Sequence, residues 1–416
     1  MTNAIHAIDE QVASPAGDCD IVGAMVEKRP TIRVLHVING EHYAGAERVQ
    51  DLLAARLPDY GVDVSFACLK PGEFAKLRQS QATPLLELAM RSRFDVRPAL
   101  RLARIVRCER YDVLHTHTAR ALLIARFAAA LYRVPIVHHV HGNTSSEVAG
   151  RRFTQLNAWA ERKSLPTTTA VIAVSASVED YLRTAGVPKD RLHVVFNGVP
   201  ARPARVHKKP ARDTCTIGFV ALLRPRKGLE TFLEAAALLA SRSLYEESAI
   251  GADPVRRSLT YRLRIVGRFE TSEYEREIHT LAERLGLTPL IQWRGFQRSI
   301  NAELDAMDIL AFPSVLPEGM PMAVIEAMAA GVSIVASRVN GVTDVLRDGE
   351  DALLVTPGDA EALADAVSAV ARDARLRDRL RTSAFARQRR SFSDTAMAAK
   401  VARIYHLILV QKGANR

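Results

Sequence analysis

Apolar residues recur along this chain in two alternating rhythms. Ile32-Arg33-Val34-Leu35-His36-Val37-Ile38 is a near-continuous apolar run, the signature of a strand buried on both faces. A loop, Asn39 to Gly45, separates it from a helical pattern over about Ala46 to Leu57, and Val62 to Leu69 predicts a second strand. The alternation continues through strands at Val113-Leu114-His115, Ile136-Val137-His138, Val171-Ile172-Ala173-Val174 and Leu192-His193-Val194-Val195. Apolar strands alternating with amphipathic helices predict a parallel sheet covered by helices.

Pro200 to Lys209 holds three prolines and several basic residues without periodicity, which marks a linker. A second series then opens at Thr216-Ile217-Gly218-Phe219-Val220. It runs through Leu263 to Gly267, Ile291-Gln292-Trp293, Asp308 to Phe312, Ser333 to Ala336 and Leu353-Leu354-Val355. The polar stretch Ser241 to Arg262 reads as a surface insertion, and a last long helix is expected over about Ser393 to Val410. The pattern divides the chain into a disordered tail (1–29), an α/β domain (30–203), a second α/β domain (204–392) and a terminal helix (393–416). The fold class is α/β, two doubly wound domains facing a cleft, with ligands expected at the carboxyl ends of the strands.

The most specific chemistry lies at Glu318-Gly319-Met320-Pro321-Met322-Ala323-Val324-Ile325-Glu326, followed by Ala-Met-Ala-Ala-Gly. Two carboxylates flank a helix start. Gly319 keeps the loop slim, and Pro321 fits a first helical position, where its missing N–H costs nothing. The unpaired N–H groups of a helix N-terminus suit a phosphate, and Glu326 inside the helix suits a hydroxyl pair such as a ribose diol. Together with Phe312-Pro313-Ser314 and Pro317, this segment resembles the donor-binding motif of the retaining family-4-type glycosyltransferases of GT-B fold. The resemblance extends over nearly all of Ile32 to Leu409. It includes Ala44-Gly45-Ala46-Glu47-Arg48-Val49, the segments around His115 and His141, Lys227-Gly228, Arg294-Gly295-Phe296 and Asn340-Gly341-Val342.

The resemblance implies a set of roles. Glu318 contacts the donor sugar and Glu326 holds the ribose. Gly319, Met320 and Pro321 offer backbone to sugar or phosphate, and Lys227 clamps the diphosphate. The family's diphosphate arginine, five residues before that lysine, falls here on Leu222, and Arg224 is the nearest substitute. Gly45 lies in a loop that is usually Gly-Gly-Ala-Glu in the family and is Ala-Gly-Ala-Glu here. A small residue there lets backbone N–H groups approach an anion. His141 matches the active-site histidine, His117 borders the acceptor side, and Gly295 and Phe296 border the nucleobase. A crossing of the terminal helix back to the first domain is implied as well.

Composition narrows the partners. Four scattered cysteines offer neither a disulfide scaffold nor a metal motif, which fits a reducing, cytoplasmic compartment. His-x-His spacing at His115/His117 and His139/His141 can hold zinc, but no cysteine or dense carboxylate group accompanies it. The expectation is no metal and no cofactor. The net charge of +11 attracts polyanions, yet 6% aromatic residues give no stacking series for nucleic acid, so no nucleic-acid partner is expected. No secretory signal and no long uncharged apolar run is legible. Arg97, Arg101, Arg104 and Arg107 fall within an arc of about 120° on one predicted helix. Such a stripe can touch anionic lipid at the inner face of the plasma membrane, although the helix itself carries no Trp or Phe.

The expected function is transfer of a sugar from a UDP- or GDP-linked donor to a glycan or lipid-linked acceptor hydroxyl in surface-polysaccharide assembly. By the resemblance it is retaining and metal-independent. The alternatives are a sugar-nucleotide epimerase or hydrolase on the same scaffold, a basic nucleic-acid-binding protein, and an inactive scaffold. A nicotinamide dehydrogenase is set aside because neither domain opens with Gly-x-Gly-x-x-Gly after a strand.

Overall fold

The computed structural model describes residues 31–92, 95–142, 164–203, 214–250 and 259–414. The tail (1–29) and residues 204–209 of the expected linker lie outside the described residues.

Seven strands form the first sheet: β1 (Ile32–Ile38), β2 (Val62–Cys68), β3 (Leu85–Glu87), β4 (Val113–Thr116), β5 (Ile136–Val140), β6 (Ala170–Ala173) and β7 (Leu192–Val194). Their order is β3-β2-β1-β4-β5-β6-β7, and every pairing is parallel. The second sheet comprises β8 (Thr214–Val220), β9 (Thr260–Val266), β10 (Ile291–Trp293), β11 (Ile309–Phe312), β12 (Ser333–Ser337) and β13 (Leu353–Val355). It is ordered β10-β9-β8-β11-β12-β13, again all parallel. The central strands are buried on both faces because helices cover both, which is why they read as continuous apolar runs.

In each sheet the strand order reverses once, between β1 and β4 and between β8 and β11. Loops leaving the carboxyl ends there diverge to opposite faces and open a crevice. The helices Gly45–Arg56 and Met322–Ala330 start at these two points.

Two sequence expectations need correction, and one strand was not foreseen. Ser241 to Ile250 continues the helix Leu229–Ile250, and Thr260 to Arg262 already belongs to β9, so the insertion shrinks to the intervening residues. β3 has no forecast: it is a three-residue edge strand and none of its side chains is buried. Pro321 stands one position before the helix, at its cap, with φ −77° and ψ 106°.

The last helix, Asp394–Ala414, leaves the second half of the chain and packs on the first. Arg56 Nε donates to Asp394 at 2.6 Å, the Tyr60 hydroxyl donates to the Thr395 carbonyl at 3.1 Å, and Tyr405 is fully buried beside His115. Where the chain passes between the sheets a second time, Val199 pairs with Ser393. Val199 N–H donates to Phe392 O at 3.0 Å, and Asp394 N–H donates to Val199 O at 3.1 Å. Gly198 is required there, since a Cβ would lie 2.1 Å from the Ser393 carbonyl oxygen.

Candidate active site between the two sheets

The two helix starts face each other across the crevice. A Cβ on Gly45 would stand 3.5 Å from Met322 Cγ. Neither cap residue, Ala44 or Pro321, has a side chain that accepts from the first N–H groups of its helix, although Glu47 on the first turn of one accepts from the Ala44 N–H at 3.2 Å. The first N–H groups of each helix therefore have no intrahelical acceptor, and two positive dipole ends converge. The Met322–Ala330 helix is buried almost throughout and ends at Gly331 in the left-handed conformation, φ 66°.

The loop between β11 and this helix carries Glu318. Its carboxylate accepts from Lys227 Nζ at 2.7 and 2.8 Å and from the Ser314 hydroxyl at 2.5 Å. The Glu318 N–H donates to the Asn340 carbonyl at 2.9 Å, fixing the loop against the segment after β12. Both members of the Lys227–Glu318 pair are largely buried, with side-chain exposures of 13% and 9%. Burial pulls the Lys227 ammonium below its usual pKa, Glu318 opposes that, and Arg226 and Arg224 add to it. Gly319 approaches the other half closely: a Cβ would lie 2.0 Å from the His141 carbonyl oxygen. Met320 is buried and reaches the other half, its sulfur accepting from the Asn197 N–H at 3.0 Å.

Glu326 is 8% exposed on the first turns of its helix. Its partner is Arg48 of the Gly45–Arg56 helix, whose Nη2 pairs with Glu326 Oε1 across the crevice. Ser177 adds a further crossing, its hydroxyl donating to Asp344 at 2.6 Å. Arg224 is turned toward Glu270 at 3.5 Å. Gly295 has φ 61° and its carbonyl accepts from Gly267 N–H at 2.9 Å, while Phe296 beside it is 48% exposed.

His115 on β4 and His139 on β5, with His117 and His141 just beyond the ends of those strands, share one face of the first sheet with His36 on β1, while His138 faces the other side and meets Thr116. His141 follows the end of β5 and is partly exposed; its Nε2 lies 3.0 Å from His117 Nδ1. His117 Nε2 lies 3.0 Å from His36 Nδ1, and Tyr405 joins His36 and His115 at 3.3 and 2.5 Å. Burial lowers His36 and His141 to about 3 and holds His115, His117 and His139 well below their usual value, so these rings are neutral at pH 7. Two triads, His36/His115/His117 and His117/His139/His141, place one ring nitrogen of each member within 4.8 Å of the others. Both nitrogens of His117 already serve hydrogen bonds, so a metal at either triad would displace one of them.

The structure thus brings Gly45, Lys227, Glu318, Gly319, Met320, Pro321, Glu326 and His141 to one crevice, with His117 behind His141. It directs Arg224 to Glu270. Sequence reasoning quoted Arg48 and Ser314 only as motif context and missed His36 and Tyr405. Their contacts span 278, 4, 81 and 290 residues respectively, and only the Ser314 spacing was open to inspection.

Two parallel-sheet domains whose switch points oppose across a crevice define the GT-B class. Residues 43–202 match the family described as Glycosyltransferase Family 4, and residues 214–373 match Glycosyl transferases group 1. The chain belongs to the family-4-type glycosyltransferases. It is 25% identical over 361 residues to the UDP-Gal:alpha-D-GlcNAc-diphosphoundecaprenol alpha-1,3-galactosyltransferase of Escherichia coli, covering 82% of this chain and 88% of that protein. With the phosphatidyl-myo-inositol mannosyltransferase of Mycobacterium leprae it shares 27% identity over 72% of this chain and 74% of that one. The crystal structure of Anabaena HepE in complex with UDP and glucose has the same fold, with a TM-score of 0.73 at 20% identity, over 90% of this chain and 99% of that chain.

Proposed function

We propose that this glycosyltransferase moves a sugar from a UDP- or GDP-linked donor to a hydroxyl of a glycan or lipid-linked acceptor in surface-polysaccharide assembly. The observation that carries the reading is the opposition of two helix starts whose first N–H groups have no cap side chain, with the Lys227–Glu318 pair beside them. Two dipole ends and an ammonium suit a diphosphate better than any neutral ligand. The Escherichia coli relative is named for a UDP-galactose donor and a diphosphoundecaprenol-linked acceptor, which supports the donor class and the lipid-linked acceptor.

On this reading the diphosphate rests between Gly45 and the backbone of Gly319, Met320 and Met322, with Pro321 setting the helix entry. Lys227 neutralises the developing charge of the leaving group, and Arg224 serves the same end only if it leaves Glu270. Glu318 takes sugar hydroxyls and Glu326 the ribose. Gly295 and Phe296 border the base. His141, neutral and held by His117, hydrogen-bonds the sugar or the acceptor. Retention is what the family resemblance implies, and with no carboxylate other than Glu318 assigned to the sugar it takes the front-face route. The acceptor oxygen bonds to the anomeric carbon as the bond to the leaving phosphate breaks, and the acceptor proton passes to a phosphate oxygen. Leaving-group stabilisation then comes from protein cations and N–H groups, and the reaction is metal-independent. A thermal-shift screen of nucleotides tests the donor. UDP or GDP at a hundred times its dissociation constant adds about 2.7 kcal/mol of apparent stability. No shift with any nucleoside diphosphate at millimolar concentration, and no nucleotide released from any sugar nucleotide, overturns the reading.

Among the described residues no helix is long and apolar enough to cross a membrane. A lipid-linked acceptor still has to be met at a surface. The helices Arg97–Glu109 and Ala119–Tyr132 pack side by side and expose Val96, Leu100, Phe127 and Leu131 next to Arg101, Arg104 and Arg107. The aromatic residue missing from the first helix is supplied by the second. We place the membrane contact on this face. Replacing Arg101 and Arg104 by Gln removes two charges at about 1 kcal/mol each. Binding to phosphatidylglycerol-containing vesicles falls about thirty-fold in co-sedimentation, and Phe127→Ala lowers it further. Unchanged binding in both variants moves the contact elsewhere.

A further inference from the structure

In this structure the cations at the crevice are engaged internally. Lys227 holds Glu318 from the same half of the chain, whereas Arg48 reaches Glu326 from the opposite half. Glu326 is mostly buried, with 10% of its side chain exposed, and Arg48 keeps 27%. A carboxylate so placed needs a charged or hydrogen-bonding partner at every stage. The proposed role gives this same carboxylate to the ribose hydroxyls, and inference about Arg48 rests on that reading. Arg48 uses a single Nη2 contact to one carboxylate oxygen, so the guanidinium fork is not committed to a bidentate pair.

The arginine that the resemblance implies for the diphosphate is also lacking. The position of the family's diphosphate arginine is Leu222, and Arg224 is drawn to Glu270. Arg48 lies one helical turn beyond Gly45, whose backbone borders Met322 at the opposed helix start. The geometry points to Arg48 as a donor-binding residue that exchanges partners. It holds Glu326 before the donor arrives and passes to the diphosphate when the ribose hydroxyls take the carboxylate. At each stage the arginine faces an anion and the carboxylate accepts from donors, so no buried charge is stranded. Arginine suits the exchange because its planar fork matches phosphate oxygens as well as carboxylate.

The exchange predicts effects of opposite sign from one substitution. Calorimetric titration compares Arg48→Gln with the unmodified chain for UDP and uridine, and for GDP and guanosine. The nucleoside diphosphate that the unmodified chain prefers should bind about ten- to a hundred-fold more weakly to the variant, for loss of a charged hydrogen-bond partner. The matching nucleoside should bind several-fold more tightly, because Arg48 no longer competes for Glu326. Arg48→Lys keeps a cation and recovers part of the diphosphate affinity. A variant that is merely misfolded cannot gain nucleoside affinity, and its melting temperature is read in parallel. Equal weakening of both ligands, or an unchanged diphosphate affinity, overturns the exchange. The ribose reading is tested separately: the unmodified chain prefers uridine to 2′,3′-dideoxyuridine (or guanosine to its dideoxy analogue), and Glu326→Ala abolishes the preference. If that preference is absent, the role of Glu326 falls and the exchange with it; if it is present, the Arg48→Gln titration alone decides.

Discussion

Glu318→Gln is expected to lower turnover by two to three orders of magnitude, a loss of the size seen when one preorganised polar contact to a transition state is removed. The amide keeps the shape of the carboxylate and can still accept from the Ser314 hydroxyl, which now lies 2.5 Å away. It cannot balance Lys227, whose ammonium donates to both Glu318 oxygens. Burial already pulls that ammonium below its usual pKa, and without the carboxylate nothing among its named influences pushes it back up. The variant therefore also loses stability, on the order of 1–3 kcal/mol. Nucleotide-induced thermal shift should persist, because the helix starts remain. Steady-state kinetics with the donor found in the nucleotide screen checks the first effect and thermal melting the second. A fully active Glu318→Gln removes this residue from the site.

Gly319→Ala should be nearly as damaging by a different route. A Cβ 2.0 Å from the His141 carbonyl oxygen is a clash with backbone of the opposite half, which no rotamer change relieves. The two halves must part for the methyl to fit. Loss of the approach separates His141 from the Glu318 loop, and a misplacement of this size costs about a hundred-fold or more in turnover. Each sheet keeps its own parallel strand pairing, so far-ultraviolet circular dichroism stays unchanged while small-angle scattering reports a larger radius of gyration. Normal kinetics in Gly319→Ala contradict the described proximity.

Much of the architecture was legible because both sheets are parallel and buried. β1, β10 and β13 fall at the residues the apolar runs mark, Ile32–Ile38, Ile291–Trp293 and Leu353–Val355. Edge and surface segments were less readable. β3 is short and partly exposed, so its residues carry no two-face signal. The continuation of the Leu229–Ile250 helix through Ser241, Arg242 and Ser243 was hidden because a run of polar residues looks like a loop, although Ser243 is buried and donates to the Leu259 carbonyl. In the crevice, Glu318 and Glu326 were found since both lie within one short motif whose backbone chemistry is local. Arg48–Glu326 and His36–Tyr405 could not be found that way: the partners are 278 and 369 residues apart, the first pair brought together by the docking of one half on the other and the second by the return of the terminal helix to the first half. The arginine at the Leu222 position was legible as missing, whereas Arg48 stood out only as motif context, because its partner Glu326 lies in the other half of the chain.

The paired passage at Val199 and Ser393 limits how the halves can move. Two strands of chain cross side by side and are zipped by backbone hydrogen bonds, with the Gln388 amide donating to Val199 O at 3.1 Å as a further tie. A single tether would allow one half to swivel freely against the other. Two adjacent tethers behave like a door hung on a pair of pins, so opening is confined to rotation about one axis and sideways slippage is suppressed. Each closure then returns His141 and Glu318 to the same register, and turnover after turnover begins from one alignment.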